Sequence, residues 1–404
     1  MNEAIEPILK DLPRYREDLQ GIREILLANA VMAGEIPSPT FEEEKRVRFL
    51  LDRFTECGCQ TISTDEAGNA VSIWPGSKGE GNILVLAHVD TPFARSVDHS
   101  VSVQTDRLEG PGIGDNAVGV AAIASLPIVL EKLGIQLQNN LILLGSTKGL
   151  GQGDLGGLRF FLENNQLPLG GAVCIEGVEL GRLSFGSLGM LRAEIECVVP
   201  RAYDWTRFGA AGAIAALNRV IQGLQAIPLS RDPAAEILLG SISGGTSYNT
   251  VARKAVLRFE VRAEEAGMIS SILEQIEEVV EEVGQRHALE VRLNIVARRK
   301  FAGLPYDHSL VRGVRQVMKT LEIDARIYPS VGELSVLLEK DIPSVTVGLT
   351  QGENIHEFNE SIRIEPLYSG LTQLLGVLRL LDDGVADPTL STPDAATESA
   401  VSAG

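Results

Sequence analysis

The chain has little positive charge, few cysteines and no sustained apolar run, and each shortage closes off a class of function. Its 404 residues hold 36 Lys and Arg against 54 Asp and Glu, a formal net charge of -18. Nucleic acid is not an expected partner, because phosphate binding needs a basic patch that displaces counterions, and no Lys/Arg-rich run is present. The cysteines Cys57, Cys59, Cys174 and Cys197 show neither a disulfide framework nor zinc-ribbon spacing, and Cys57-Gly58-Cys59 reads as two small apolar residues at a helix end. No stretch reads as long enough and free enough of charge to span a bilayer, so no membrane association is expected. The opening MNEAIEPILKDLPRYREDL scatters acids and bases through its apolar residues, unlike a secretory signal. A cytoplasmic, reducing compartment fits these features.

What is present is a chain that is 44% hydrophobic and long enough for two or three domains. After the breaker Pro37-Ser38-Pro39, Thr40 and Glu43 read as a capping box for the helix FEEEKRVRFLLDRFTECG. NAVSIWPG and NILVLAHVD read as strands, the second apolar enough to be buried on both faces. Helices and strands then alternate through AVGVAAIASLPIVLEKLG, NLILLGS, LRFFLENN and GGAVCIEG, which implies an α/β fold with a mainly parallel sheet flanked by helices. From about Gly186 the order becomes strand-helix-strand-strand-helix-strand, a ferredoxin-like α+β unit inserted into the first. The expected organisation is an α/β domain over 1–186 and 300–382, an insert over 187–299, and a disordered tail over 383–404.

Chemistry-bearing residues collect at the carboxyl ends of strands, where open α/β sheets place ligands. His88 and Asp90 fall on one side of their strand end, so the carboxylate can accept the second imidazole N–H and fix the tautomer of a metal-binding histidine. Asp115, in GPGIGDN, is placed at a helix start, where backbone amides stabilise a carboxylate, with a simple cap as the alternative. Glu176 ends a buried strand, so it must be solvated, paired or metal-bound. His356 lies in a loop after another buried strand; His99, His287 and His308 are expected to play surface roles. The glycine-rich STKGLGQGDLGG also spells G-x-G-x-x-G between a strand and a helix, which leaves nucleotide binding open as a lesser reading.

The order HVDTPF, GxGDN, an acid-Gly after a later strand, GGTSYN in the insert and a late loop histidine resembles the co-catalytic zinc amidohydrolases and peptidases that include acetylornithine deacetylase, glutamate carboxypeptidase and peptidase T. The resemblance spans roughly residues 5 to 380. It implies a zinc-peptidase-like catalytic domain with an inserted lid and dimerisation domain, and therefore a homodimer. It also implies that Asp115 bridges two zinc ions through a cis Asp115-Asn116 peptide, that His88 and Glu176 complete the first site, that Asp90 orients His88, and that His356 serves the second. Asn249, Arg262 and Tyr203 fall at substrate-contacting positions, and Glu333 stands where relatives often have an aspartate.

Three positions depart from the pattern. Against the family's TGEEGLGDLRG, Gly149 replaces the glutamate that acts as general base and Leu150 replaces a glutamate that binds the second metal. Tyr203 replaces a histidine that stabilises the oxyanion. A positioned base contributes on the order of 10²–10⁴ in rate and one oxyanion donor about 10²–10³. The expectation is a metal-dependent hydrolase fold with hydrolysis lost or strongly reduced, holding one zinc or other divalent ion at most. An active one-metal hydrolase of short peptides or N-acyl amino acids is the alternative.

Overall fold

The computed structural model describes residues 2–200, 212–287 and 289–384. The chain divides into two compact units: Met1–Phe185 with Leu304–Tyr328 and Lys340–Gly404, and Gly186–Gly303 with Pro329–Glu339.

The first unit is built on eight strands, β1 Gln60–Thr64, β2 Ala70–Trp74, β3 Asn82–His88, β4 Asn140–Ser146, β5 Leu169–Val178, β6 Arg182–Ser184, β7 Arg326–Ile327 and β8 Ser344–Thr350. Their order in the sheet is β1-β2-β4-β3-β5-β8-β6-β7. The central run β4-β3-β5-β8 is parallel, while β2 joins β1 and β4 antiparallel. Every residue of β3 and β8 is buried, as strands covered on both faces must be. Register sets His88 opposite Ser146 of β4, so β3 and β4 finish level. Glu176, near the end of β5, lies opposite Gly348 of β8. Four strand ends thereby converge on one edge.

The helix Val118–Leu133 supplies much of the core, with Val118 to Pro127 buried, and it stops where Gly134 adopts a left-handed conformation. Contrary to the sequence expectation, the stretch Ile113–Leu133 is long and apolar enough to cross a membrane by length and composition. Of its apolar 18-residue window 89% is buried inside the protein, which is the ordinary reason for a helix to be apolar on every side.

The capping box is also corrected. The helix runs Glu44–Glu56, and Glu43 at its start makes no side-chain cap bond. Thr40 Oγ1 instead donates to Asp90 Oδ2 at 2.8 Å, and Glu43 Oε1 accepts the Lys148 N–H at 2.8 Å. Both side chains serve the neighbouring strand ends, whose buried polar groups have stronger claims than an accessible helix end. His99 is buried rather than superficial, with Nε2 3.1 Å from the Ala94 carbonyl, and His308 caps the helix Ser309–Thr320 by accepting the Leu310 N–H. The side chain of His287 lies outside the described residues.

In the second unit, strands Ala235–Gly244, Lys254–Ala263, Gly189–Val198 and Glu290–Arg299 form an antiparallel sheet in that order. Alternation sorts its faces: Leu191, Ala193, Ile195 and Cys197 are buried with residues of the helices Ala213–Ala226 and Met268–His287. Arg192 and Glu194 face the other way and pair with Glu260 and Arg258.

Candidate metal centre

His88 leaves β3 with its ring fixed. Its Nδ1 lies 3.0 Å from the main-chain carbonyl of Asp90 and 3.4 Å from that residue's Oδ1. The tautomer with the proton on Nδ1 satisfies this geometry and presents an unprotonated Nε2, the form that ligates a metal, to the acids. The nearer acceptor is thus the Asp90 backbone, while the Asp90 carboxylate takes a second task. Its Oδ2 accepts from Thr40 and from the Leu150 amide, both at 2.8 Å. Burial pushes the Asp90 carboxyl up, but the His88, Leu150 and Thr40 hydrogen bonds outweigh it, so the group is held below its ordinary range.

Asp115 stands in an irregular turn ahead of the helix Val118–Leu133, not in its first turn; its φ of -122° and ψ of 86° are non-helical. The expected help from helix amides is replaced by two imidazoles. Oδ1 lies 2.9 Å from His88 Nε2 and Oδ2 lies 2.8 Å from His356 Nε2. Asn116 latches the turn to β5, donating to the Ile175 carbonyl and accepting the Gly177 N–H, each at 2.8 Å. The Asp115-Asn116 peptide is cis. Burial raises the Asp115 pKa, but with both rings protonated in the absence of metal the bonds and charges of His356 and His88 override it and hold the carboxyl well below the usual range.

Glu176 completes the cluster, with Oε2 3.9 Å from His88 Nε2 and Oε1 3.6 Å from Arg182 Nη1. One ligand atom each from His88, Asp115 and Glu176 lie within 4.8 Å of one another. A tetrahedral ion with bonds of about 2.0–2.2 Å sets its ligand atoms about 3.3–3.6 Å apart, so the donor set and spacing fit a divalent cation of the zinc type. Two facing carboxylates and one unprotonated imidazole nitrogen are also the charge arrangement that such an ion neutralises.

His356 is the exposed member, its side chain 64% accessible. The hydrogen bond to Asp115 raises its pKa above the ordinary 6.5. A raised folded-state pKa gives stability that is complete below 6.5 and lost as pH rises through the folded value. In metal-free protein, His356→Gln is therefore expected to lower Tm more at about pH 5.5 than at about pH 9. Equal losses at both pH values would refute the ion pair.

The glycine-rich loop closes on itself. The amides of Gly153, Leu155, Gly156 and Gly157 donate to the carbonyls of Leu150, Gly149, Lys148 and Thr147. The donors that a phosphate would need are therefore occupied. A Cβ at Gly153 would stand 2.4 Å from the Lys148 carbonyl oxygen, and one at Gly157 2.3 Å from that of Thr147. Close backbone approach accounts for both glycines. Gly149 is buried and Leu150 half-buried, and neither position carries an acid.

The other expected site residues lie in the second unit or outside the description. Asn249 is exposed, Arg262 is engaged by Glu260 at 2.7 Å, and Glu333 is buried at the start of the helix Glu333–Glu339. Tyr203 lies outside the described residues. Sequence reasoning missed Arg46, fully buried and bonded to the carbonyls of Val89 and Ile36, whose pKa burial lowers to about 10. It also missed Arg182 and Glu360. Glu360 is completely buried, burial pushes its carboxyl up, and its two oxygens accept main-chain N–H groups of Gly114, Asp115 and His356.

Two family models match the chain: a peptidase dimerisation domain over residues 207–288 and peptidase family M28 over residues 69–148, which include His88, Asp90 and Asp115. No curated protein matches it. Among solved structures, a tripeptidase from Staphylococcus aureus superposes with a TM-score of 0.73 at 20% identity, covering 89% of this chain and 98% of its own. A di-peptidase from Saccharomyces cerevisiae gives 0.74 at 11%, covering 92% and 98%. A dinuclear metal-binding peptidase of the M20 family from Bacillus subtilis gives 0.62 at 16%, covering 91% and 98%. Identities this low speak for a common fold. A dimerisation-domain model thus matches within the second unit, a peptidase model matches across the elements that carry His88 and Asp115, and along nearly its whole described length the chain has the fold of the M20 peptidases.

Proposed function

We propose that the chain is a metal-binding member of the deacetylase and carboxypeptidase type in which hydrolysis is lost or strongly reduced. The observation that supports this most is the docking of the loop after β4. The Leu150 amide holds Asp90 Oδ2 at 2.8 Å, so positions 149 and 150 stand at the edge of the cluster, and neither side chain offers a donor or a base.

One divalent ion at most is expected, held by His88, Asp115 and Glu176, with His356 beside Asp115 as a further nitrogen. Such an ion supplies Lewis acidity when bound. The chain's own residues position it: the Asp90 backbone fixes the His88 ring, and Asn116 fixes the turn of Asp115. Amide hydrolysis also needs a proton carried from the attacking water to the leaving nitrogen. Nearby buried acids are otherwise engaged: Glu43 by the Lys148 amide, Asp90 by Thr40 and Leu150, Glu360 by three main-chain amides. The cleft on this reading recognises a short peptide or N-acyl amino acid, as the tripeptidase and di-peptidase relatives suggest, and cleaves it poorly or not at all. Asn249, Arg262 and Tyr203 are proposed ligand contacts on the resemblance alone. A homodimer through the second unit is supported by the matched dimerisation domain and by exposed Leu238, Leu239 and Ile242 along its edge strand.

A second reading, slow one-metal hydrolysis, is favoured by the ligand count, since three protein donors with an open position make a catalytic mononuclear site. Protein purified without chelator separates the two. It is expected to sediment as a dimer and to turn over neither short peptides nor N-acyl amino acids with added zinc, manganese or cobalt. Turnover that disappears in His88→Ala would establish the second reading instead.

A further inference from the structure

Glu360 is not among the cluster's ligands, yet its carboxylate reaches two separate segments of the site. It is 0% exposed. Oε1 accepts the N–H groups of Gly114 at 2.6 Å and Asp115 at 2.8 Å, and Oε2 accepts that of His356 at 3.0 Å. A carboxylate has about four acceptor positions, and three here are filled by main chain from two segments far apart in sequence. The main chain of Glu360 strengthens the junction: its N–H donates to the Glu357 carbonyl and its own carbonyl accepts from Gly110.

Both segments need such an anchor. Asp115 has non-helical backbone angles, so no regular ladder holds its turn in place. His356 sits at a φ of 71°, a left-handed conformation that costs a non-glycine residue energy and persists only where the surroundings over-determine it. The only direct bond between the two functional side chains is His356 Nε2 to Asp115 Oδ2. That contact depends on two backbones being held at the right distance from each other.

We propose that Glu360 is a positioning residue that locks the Asp115 turn and the His356 loop into one cooperative unit, presenting Asp115 and His356 as a preformed pair. The coupling stands on geometry alone; its consequence for metal affinity rests on the metal centre proposed above. Without Glu360, two buried amides of the turn and one of the loop lose their acceptor together. Neither segment then keeps the other in register.

Hydrogen exchange followed by mass spectrometry on Glu360→Gln tests this, first without metal. Glutamine keeps the shape but sets an NH2 group against a main-chain N–H, so exchange in peptides spanning 113–117 and 354–358 is expected to rise together, about tenfold or more, while β3 stays protected. Glu353→Gln, which removes only an exposed pairing with Arg363, serves as control and is expected to leave both loops unchanged. Cobalt affinity of Glu360→Gln should fall about 10–100-fold, the usual effect of removing a group that orients ligands. Should the glutamine variant fail to fold, Glu360→Asp withdraws the same charge by one methylene, and the two loops must again loosen together. Exchange that rises in one loop only, or in neither, overturns the proposal in whichever variant folds. A wild-type chain that binds no cobalt would count against the metal centre, and the metal-free exchange would still decide the coupling.

Discussion

On the function proposed above, placing acids at both positions, Gly149→Glu with Leu150→Glu, is expected to raise turnover of short peptides or N-acyl amino acids by about 10²–10⁴ and to add a second metal equivalent per chain. The backbone admits both side chains. Leu150 has a φ of -93° and a ψ of 160°, an extended conformation open to any residue, and Gly149 is not among the glycines with positive φ. The loop is also already anchored at two points, by Lys148 on Glu43 and by Leu150 on Asp90, so new carboxylates would project from a fixed platform. A restored acid at 150 would join Asp115 and His356, whose facing nitrogen and oxygen stand 2.8 Å apart. Recovery is expected to be partial, because groups that act as one unit do not contribute additively. A double variant that folds, binds no additional metal and turns nothing over would show that the cleft has diverged beyond these two positions.

The second large effect concerns His88. Wild-type protein saturated with zinc at about 100 times its dissociation constant is expected to gain about 2.7 kcal/mol of stability, the mass-action consequence of a ligand that binds only the native state. His88→Ala removes the one nitrogen among the three clustered donors, leaving two carboxylates, and is expected to abolish both the bound metal and the gain. Asp90→Asn should weaken affinity by about 10–100-fold, since it disturbs the support for the His88 ring and the anchor for Leu150 together. Thermal denaturation with and without chelator, alongside metal analysis, reads all three proteins. A chelator-sensitive Tm gain in His88→Ala equal to that of wild type would place the metal elsewhere.

Much of the architecture was legible because burial leaves periodic traces. The uninterrupted apolar run of β3 announced a strand covered on both faces, and the strand-helix-strand-strand-helix-strand order from Gly186 announced the inserted unit. Of the cluster, His88 and Glu176 were legible as polar side chains placed at strand ends. What escaped were side chains whose role arises only when distant segments meet. Thr40 and Glu43 have the spacing of a helix cap, and spacing alone cannot say that Asp90 and the Lys148 amide would recruit them. Glu360 is one acid among several in ENIHEFNESIR; the one available clue was its place directly before the short strand Ser361–Arg363. His99 sits among polar neighbours and is buried all the same, through folding of its own loop.

The self-closing glycine loop has an evolutionary consequence. Its path is set by backbone contacts at Gly153 and Gly157 and by main-chain bonds from Leu150 through Gly157, none of which involves the side chains at 149 or 150. Chemistry and shape are therefore inherited separately here. Exchanging the side chains at these two positions therefore carries little folding penalty, so on the function proposed above a lineage could drift away from catalysis while every protein along the way still folded, and could return by the same two codons.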